Sequence, residues 1–446
     1  MVNTDFFLSI KLKRIIAIVF IFSVIFEVLL YFMIYDVGQF GMSTNVSRIL
    51  QLLTILLLSA YLLLNKFKFR IAKGYDYIIL RYSIFLAFCI LSGFFGYIYG
   101  VWDLDIQISK SRLLIEYVIT LYSFVYFVLL PIFLLRDNET IKLFFKLMNI
   151  LFSISFFIGI ASFLSKYFFG FVLVSRHFSG FVDVGVRFHG LFGEPRDAGP
   201  GLVLWISLIY LGSFHNKAKE PNKLMISFIL IVLLFTFSLS AIVGIFLSLG
   251  MILIYKIKVW PINVRQIVKY LSSIFLFVAI ISTVISLSDR LSMYYEATGQ
   301  IYSQFVQDEK IETAYDAQML DVYPVLHRIR EVRDLEIFPF LIGTGLSSSS
   351  LINKKYSTAS DMTQNPRSNL TRYFFDTGLL GLMAYIWFFI LVVNKMLIYF
   401  SFKNQDYIMV LLLANLGMSL AHRSVSVFIF TGIFLAVSFY RKNNLQ

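Results

Sequence analysis

The chain has 446 residues, of which 59% are hydrophobic and 15% charged, and it carries a net charge of +13 and one cysteine. Its mean hydropathy is +0.79. A single soluble core stops growing at about 250–300 residues, so this much apolar surface excludes a soluble globular protein. The lone Cys89 excludes a disulfide framework or a cysteine-based metal site within one chain.

Crossing a hydrocarbon core of about 30 Å takes roughly 20 apolar residues, and runs approaching that length recur from end to end. They fall at 15–35, 49–64, 77–97, 113–135, 143–164, 198–211, 224–237, 241–255, 267–287, 378–393, 407–420 and 425–439. Several are shorter than a full span, so their helices extend into flanking polar residues or are irregular. The expectation is an all-α integral membrane protein, one polytopic domain over residues 1–446 with about twelve transmembrane helices. The first segment is too long for a signal-peptide core and lacks a small-residue cleavage site, so it stays in place. No internal repeat is visible, which weighs against a transporter built from two homologous halves.

Cytoplasmic loops are enriched in Lys and Arg. One set of connections carries Lys11, Lys13, Arg14; Lys66, Lys68, Arg70, Lys73; Arg136, Lys142, Lys146; and Lys217, Lys219, Lys223. The same set continues with Lys256, Lys258, Arg265, Lys269, Lys395, Lys403, Arg441 and Lys442. The opposite short loops hold fewer: Arg48, Lys110, Arg112, Lys166, Arg176, Arg187, Arg196 and Arg423. Both termini are therefore expected in the cytoplasm, which requires an even number of crossings. The net positive charge is mostly this bias and calls for no nucleic-acid partner.

Two external regions break the rhythm of short loops, between Lys166 and Asp197 and from 288 to 370. The second is too rich in Tyr, Phe, Ile and Leu for disorder and is expected to fold over the membrane face. Within it, 316–337 reads as a helix that sets His327, Arg330 and Asp334 on one face, with Arg333 beside Arg330. The same stretch fits a solvated amphipathic helix in which Arg328, Arg330 and Arg333 pair with Glu331, Asp334 and Glu336. Pro339, Gly343-Thr344-Gly345 and the serines 347–350 follow. Such a stretch either presents backbone N–H groups to an anion or forms a surface turn.

The first external region closes on a dense set, Arg187, His189, Glu194, Arg196 and Asp197, before a helix start marked by Pro200. Charges at a membrane boundary can simply snorkel to water. This density instead points to an anion site, because a helix N-terminus offers partial positive charge and Arg adds bidentate geometry for phosphate. Arg330, Arg333, Arg367 and Asn369 come from the second region. Facing Arg-rich loops suit a lipid diphosphate, each Arg–phosphate pair attracting by about 4 kcal/mol at 4 Å and an effective dielectric of 20, before desolvation. Asp103-Leu104-Asp105 has a spacing that can hold a hard cation, but no third ligand is apparent and no metal or cofactor is expected. Charges within the spans are sparse, Glu116 being the main exception, which weighs against ion coupling.

Several of these features together resemble the O-antigen polymerase and O-antigen ligase superfamily of bacterial polysaccharide assembly. They are the Arg187–Gly190 and Gly193-Glu194-Pro195 run, the Ser238-Leu239-Ser240 hairpin, Pro339 with Gly343-Thr344-Gly345, and Asn369 followed by Asp376-Thr377-Gly378-Leu379-Leu380-Gly381. The resemblance implies a multi-spanning glycosyltransferase architecture in the bacterial inner membrane, with a large periplasmic loop. It further implies transfer of glycan from undecaprenyl diphosphate, with membrane lipid and a chain-length regulator protein as partners. Ligases of the superfamily have a histidine shortly before the Asn-like position, where this chain has Arg367-Ser368-Asn369. That departure favours polymerase over ligase, and a lipid-linked oligosaccharide flippase is the alternative from another class. On this reading Arg187, Arg330 and Arg333 offset charge on the departing diphosphate, and Glu194 is the first choice of base ahead of His189 and His327. Glu194 also fits an ion pair with Arg187 or Arg196. His189, Arg196, His327, Arg367 and Asn369 are the expected substrate-binding residues.

Overall fold

The structure is a computed structural model. It describes residues 4–29, 33–34, 44–64, 76–100, 110–174, 187–192, 195–215, 221–236, 323–349, 368–400, 413–418 and 426–443, with scattered positions between 238 and 279. Apart from one antiparallel pairing of Met33–Ile34 with Thr44–Asn45, the regular structure described is helical.

The longer helices are α1 (Thr4–Val28), α2 (Val46–Leu64), α3 (Asp76–Ile98) and α4 (Lys110–Phe124). A π-turn (Val125–Leu129) carries α4 into a last turn, Leu130–Leu134, that holds Pro131. After these come α5 (Asn138–Phe169), α6 (Pro195–His215), α7 (Lys223–Phe235), α8 (Tyr323–Arg333), α9 (Ile337–Ile342), α10 (Asn369–Phe400) and α11 (Ser426–Asn443). Among the described residues, six helices are long and apolar enough to cross a membrane. The sequence segments at 49–64, 77–97, 113–135, 143–164, 198–211 and 378–393 each lie within or beside one of these, most of which run further into polar flanks. Those at 267–287 and 407–420 fall largely outside the described residues.

The distribution of polarity identifies the solvent. On α2 the buried residues are Ser47, Gln51 and Thr54, while Leu52 and Leu56 are each 59% exposed. A helix that turns its polar groups inward and its leucines outward is stable only where the surroundings are hydrocarbon. The chain is thus an α-helical membrane protein. Inside the spans the polar groups find one another: Glu27 of α1 accepts from Ser47 Oγ at 2.6 Å and Gln51 Nε2 at 2.7 Å, and Tyr122 OH donates to Gln51 Oε1 at 2.9 Å. Glu27 is thus a second carboxylate within a sequence-predicted span, beside Glu116.

Around Tyr82 an aromatic core forms. Its ring stacks on Phe124 at 3.8 Å and meets Phe388 edge-on at 5.2 Å, so α3, α4 and α10 converge there. Packing of α3 on α10, and of α9 on both, brings the short loop helices to one end of this trio.

The expected helix at 316–337 is shorter at its C-terminus, closing at Arg333. Leu335 sits at φ 67°, and Leu335 and Glu336 donate to the carbonyls of Val332 and Glu331 at 3.2 and 2.8 Å. This is a Schellman cap with leucine where glycine is usual, so no residue in the sequence announces it. The serine stretch is also reversed by positive φ, at Gly343, Gly345 and Ser347.

Two glycines permit a close backbone approach between α9 and α10. Gly378 interrupts α10 at φ 66°, ψ −174°, and Gly343 ends α9 at φ 83°. A Cβ on Gly343 would strike the Asp376 carbonyl and the Gly378 nitrogen, and one on Gly378 would strike the backbone of Leu341 and Ile342. Backbone cannot swing aside as a side chain does. Gly378→Ala is expected to cost more than about 1–2 kcal/mol and to lower the melting temperature of the detergent-solubilised protein. Gly250→Ala, where a Cβ meets nothing within 4 Å, is expected to leave it unchanged or raise it.

Candidate functional site

The segment 323–349 is bolted to the bundle by a fully buried arginine. Arg328 of α8 is 0% exposed. Its Nη1 pairs with the Glu331 carboxylate, and Nη2 donates to Thr344 Oγ1 at 3.0 Å and to the Phe375 carbonyl. The guanidinium also lies over the Phe375 ring at 4.0 Å. Burial pulls the Arg328 pKa below the ordinary arginine range, against the charge and hydrogen bond of Glu331, and the group stays charged at neutral pH. Burial pushes Glu331 up, but hydrogen bonds and charge from His327 and Arg328 outweigh it and hold the carboxyl below its usual range.

Beneath this pair lies Asp376, 0% exposed. Its carboxylate accepts from the backbone N–H groups of Ser347 at 2.7 Å and Ser349 at 3.0 Å. Its carbonyl accepts from Thr344 at 3.1 Å and Gly345 at 2.8 Å. The glycine and serine stretch therefore does present N–H groups to an anion, and the anion is the chain's own side chain. Arg372, one turn earlier, reaches Asp376 Oδ2 at 3.4 Å and Glu116 Oε2 of α4 at 2.8 Å. Tyr117, next to Glu116, accepts from the Leu346 N–H at 3.0 Å. Two arginines and three carboxylates thus join α4, α8, the serine stretch and α10.

A second cluster gathers around residues 187–192. Arg187 donates through Nε and Nη2 to the Thr236 carbonyl at 3.0 and 2.6 Å, capping the C-terminus of α7 where a cation is favoured. The Phe188 N–H donates to the Phe235 carbonyl at 3.0 Å. His189 is buried, with Nδ1 3.0 Å from the Gly190 carbonyl. A carbonyl only accepts, so Nδ1 carries a proton. Gly190 nests against α5, whose Ser155 Oγ accepts from the Leu191 N–H at 3.2 Å.

The expected site residues divide between these clusters. Arg187 and His189 belong to the second. His327 lies in the first, its Nε2 3.3 Å from Glu331 Oε1, and Arg330 stands half-buried on the same helix. Arg333 is exposed and pairs with its neighbour Asp334 at 3.2 Å, as the amphipathic-helix reading anticipates. Asn369 opens α10 behind its Ser368 cap and donates to Tyr385 OH at 3.3 Å. Glu194 and Arg367 lie outside the described residues, as do the side chain of Arg196 and the Asp103-Leu104-Asp105 motif. Among the described residues no group of three or more His, Cys, Asp or Glu side chains is placed to hold a metal ion.

Arg328, Arg372 and Asp376 are the site residues that sequence reasoning passed over. For Arg328 the correction is plain: it is the buried anchor, not one more solvated charge. The available signal was Glu116, since a carboxylate alone in an apolar run requires a cation from elsewhere. Arg372, just before the tenth apolar segment, was the natural source.

No known protein family matches the sequence, and no curated protein is significantly similar to it. Asp376→Asn replaces one acceptor oxygen with a donor facing a backbone N–H and leaves Arg372 to Glu116 alone. Breaking a buried charged network by one partner costs about 3–5 kcal/mol. The variant is expected to melt well below the parent in detergent, whereas Asp334→Asn, in an exposed pair, is expected to shift stability by less than about 1 kcal/mol.

Proposed function

We propose that the protein is a bacterial inner-membrane polymerase of surface polysaccharide, of the O-antigen type, that joins undecaprenyl-diphosphate-linked repeat units. In this reading the chain crosses the membrane about twelve times with both termini in the cytoplasm. Residues 288–370 form a periplasmic loop over the site of transfer. The observation that carries the reading is the anchoring of α8 by buried Arg328, which fixes the orientation of a basic helix within an otherwise long loop.

A growing glycan leaves its diphosphate carrier as the hydroxyl of the next unit's terminal sugar attacks the anomeric carbon from the opposite face. The carbon–oxygen bond to diphosphate breaks, the new glycosidic bond forms with inversion, and the hydroxyl proton passes to a base. Diphosphate is a good leaving group without a metal or an acid, so the need is for fixed positive charge as its own charge develops. Preorganised cations provide this only when their supports are rigid. Arg330 rides on the helix that Arg328 locks down, and Arg187 is held by the end of α7. His189, when neutral with its proton on Nδ1, presents Nε2 as a proton acceptor, alongside Glu194 and His327 as candidates for the base.

One observation favours a second reading. Buried ionisable residues at the ends of spans mark transport pathways in many membrane proteins, and Glu116, Arg372 and Asp376 are such a set. They are paired to one another and to backbone, which suits an anchor better than a carrier site. In a strain lacking the protein, polymerase predicts lipid anchor bearing a single repeat unit and no longer ladder on a polysaccharide gel. Loss of all attached repeats with polymer held on the carrier would mean ligase, and loss of all external repeats would mean the flippase. Complementation with Arg330→Ala is expected to restore stable protein but lose at least about 100-fold in polymer formation, the scale of removing one preorganised charge-stabilising donor. A full ladder from that variant would remove Arg330 from the mechanism.

A further inference from the structure

A cavity of about 210 Å³ lies between the beginning of α5 and the end of α6, away from both clusters described above. Lys142, Lys146, Asn149 and Ser213 supply its polar lining, and Phe145 and Ile209 supply apolar wall. Lys142, Lys146 and Asn149 recur at i, i+4 and i+7 along α5, so they share one face. Neither lysine has an ion-pair partner among the described residues. The nearby acids are engaged elsewhere: Asp137 caps α5 through the Thr140 N–H at 2.7 Å, and Glu139 faces Arg14 at 3.7 Å. Two like charges four residues apart on a helix repel each other, and an anion between them would reverse that cost.

The neutral residues of the lining have matching polarity. Trp205 Nε1 donates to Asn149 Oδ1 at 3.1 Å, and an indole N–H can only donate. The amide oxygen of Asn149 is therefore committed to α6, and its NH2 is what remains for a ligand. Two ammonium groups, an amide NH2 and a hydroxyl make a donor-rich recess suited to phosphate oxygens.

Depth in the bilayer narrows the source. The 32 residues of α5 make a helix about 48 Å long, against a hydrocarbon core of about 30 Å. Its first turns therefore stand in the headgroup layer, with Lys142 about 6 Å and Lys146 about 12 Å from the helix start. Lysines at that depth meet lipid phosphates, and Phe145 and Ile209 stand beside them as apolar wall for the acyl chain. We propose that this cavity binds the phosphate group of an anionic phospholipid from the leaflet at that end of the bundle. The site stands apart from the glycan-transfer reading, because it rests on neither cluster and its test measures lipid binding alone.

The full chain, purified and delipidated in detergent, would be titrated with phosphatidylglycerol or phosphatidylcholine while its melting temperature is followed. Retained lipid would be counted by native mass spectrometry. Phosphatidylglycerol is expected to raise the melting temperature and to be retained in preference to phosphatidylcholine. The double variant Lys142→Gln, Lys146→Gln should melt like the parent without lipid and need about tenfold or more phosphatidylglycerol for the same shift. Asn149→Asp keeps an acceptor for Trp205 while adding negative charge, and should lose the preference as well. Equal responses to the two lipids, or equal responses of parent and double variant, would overturn the proposal. So would inorganic phosphate at millimolar concentration producing the whole shift with no further effect of phosphatidylglycerol, since the ligand would then be the free ion.

Discussion

A carboxylate buried at the end of a membrane span must be met by donors, because hydrocarbon offers none and an unpaired charge there costs several kcal/mol. Asp376 meets this requirement in a way that organises everything around it. Backbone N–H groups of Ser347 and Ser349 close on its carboxylate, Arg372 approaches from the preceding turn, and Arg372 in turn holds Glu116 on α4. With the carboxylate satisfied, the chain can turn at Gly378 and begin its long apolar run, and the serine stretch cannot drift from the bundle. Arg328 then fastens α8 above the same point through the Phe375 carbonyl and Thr344. Residues 323–349 are thereby tied to the bundle at two points.

Burying five charges is not a route to stability in itself, since well-packed apolar residues of the same volume often do as well. What the network supplies is a single placement of the loop, enforced by the high cost of leaving any member unpaired. That placement is what an electrostatic catalyst needs, because positive charge helps a departing diphosphate only if it is already in position when the bond breaks. Arg330 gains its fixed position from a neighbour two residues away that never meets solvent. Arg187 gains its own from the carbonyl at the end of α7. In the first case a buried neighbour orients the helix that carries the cation, and in the second the guanidinium itself makes the structural bond.

Much of the membrane architecture was legible in the chain, for a physical reason: a span must be apolar for about 20 residues, and that constraint is one-dimensional. The runs at 77–97 and 143–164 became α3 and α5 with their ends extended into Asp76 and Asn138. The start of the tenth run at Gly378 coincides with the break in α10. The site was harder because pairing is three-dimensional. Nothing local distinguishes Arg328, which is buried, from Arg333, which is exposed on the same helix five residues on. The nest at 343–349 was visible as a composition but not its occupant, which lies 27 residues further along the chain. The cap at Leu335 escaped notice because the left-handed position lacks its customary glycine.

Hydrogen exchange at the amides of residues 343–349, in the purified protein at neutral pH, tests the buried anchor most directly. If Asp376 holds this stretch as described, the amides of Ser347 and Ser349 stay protected for as long as those in the first turns of α10, and lose that protection together with Thr344 and Gly345 when Asp376 is replaced by Ala. Exchange of the whole stretch within seconds in the unmodified protein would mean a surface turn detached from the bundle, and the account of a buried anchor at Asp376 would fall with it.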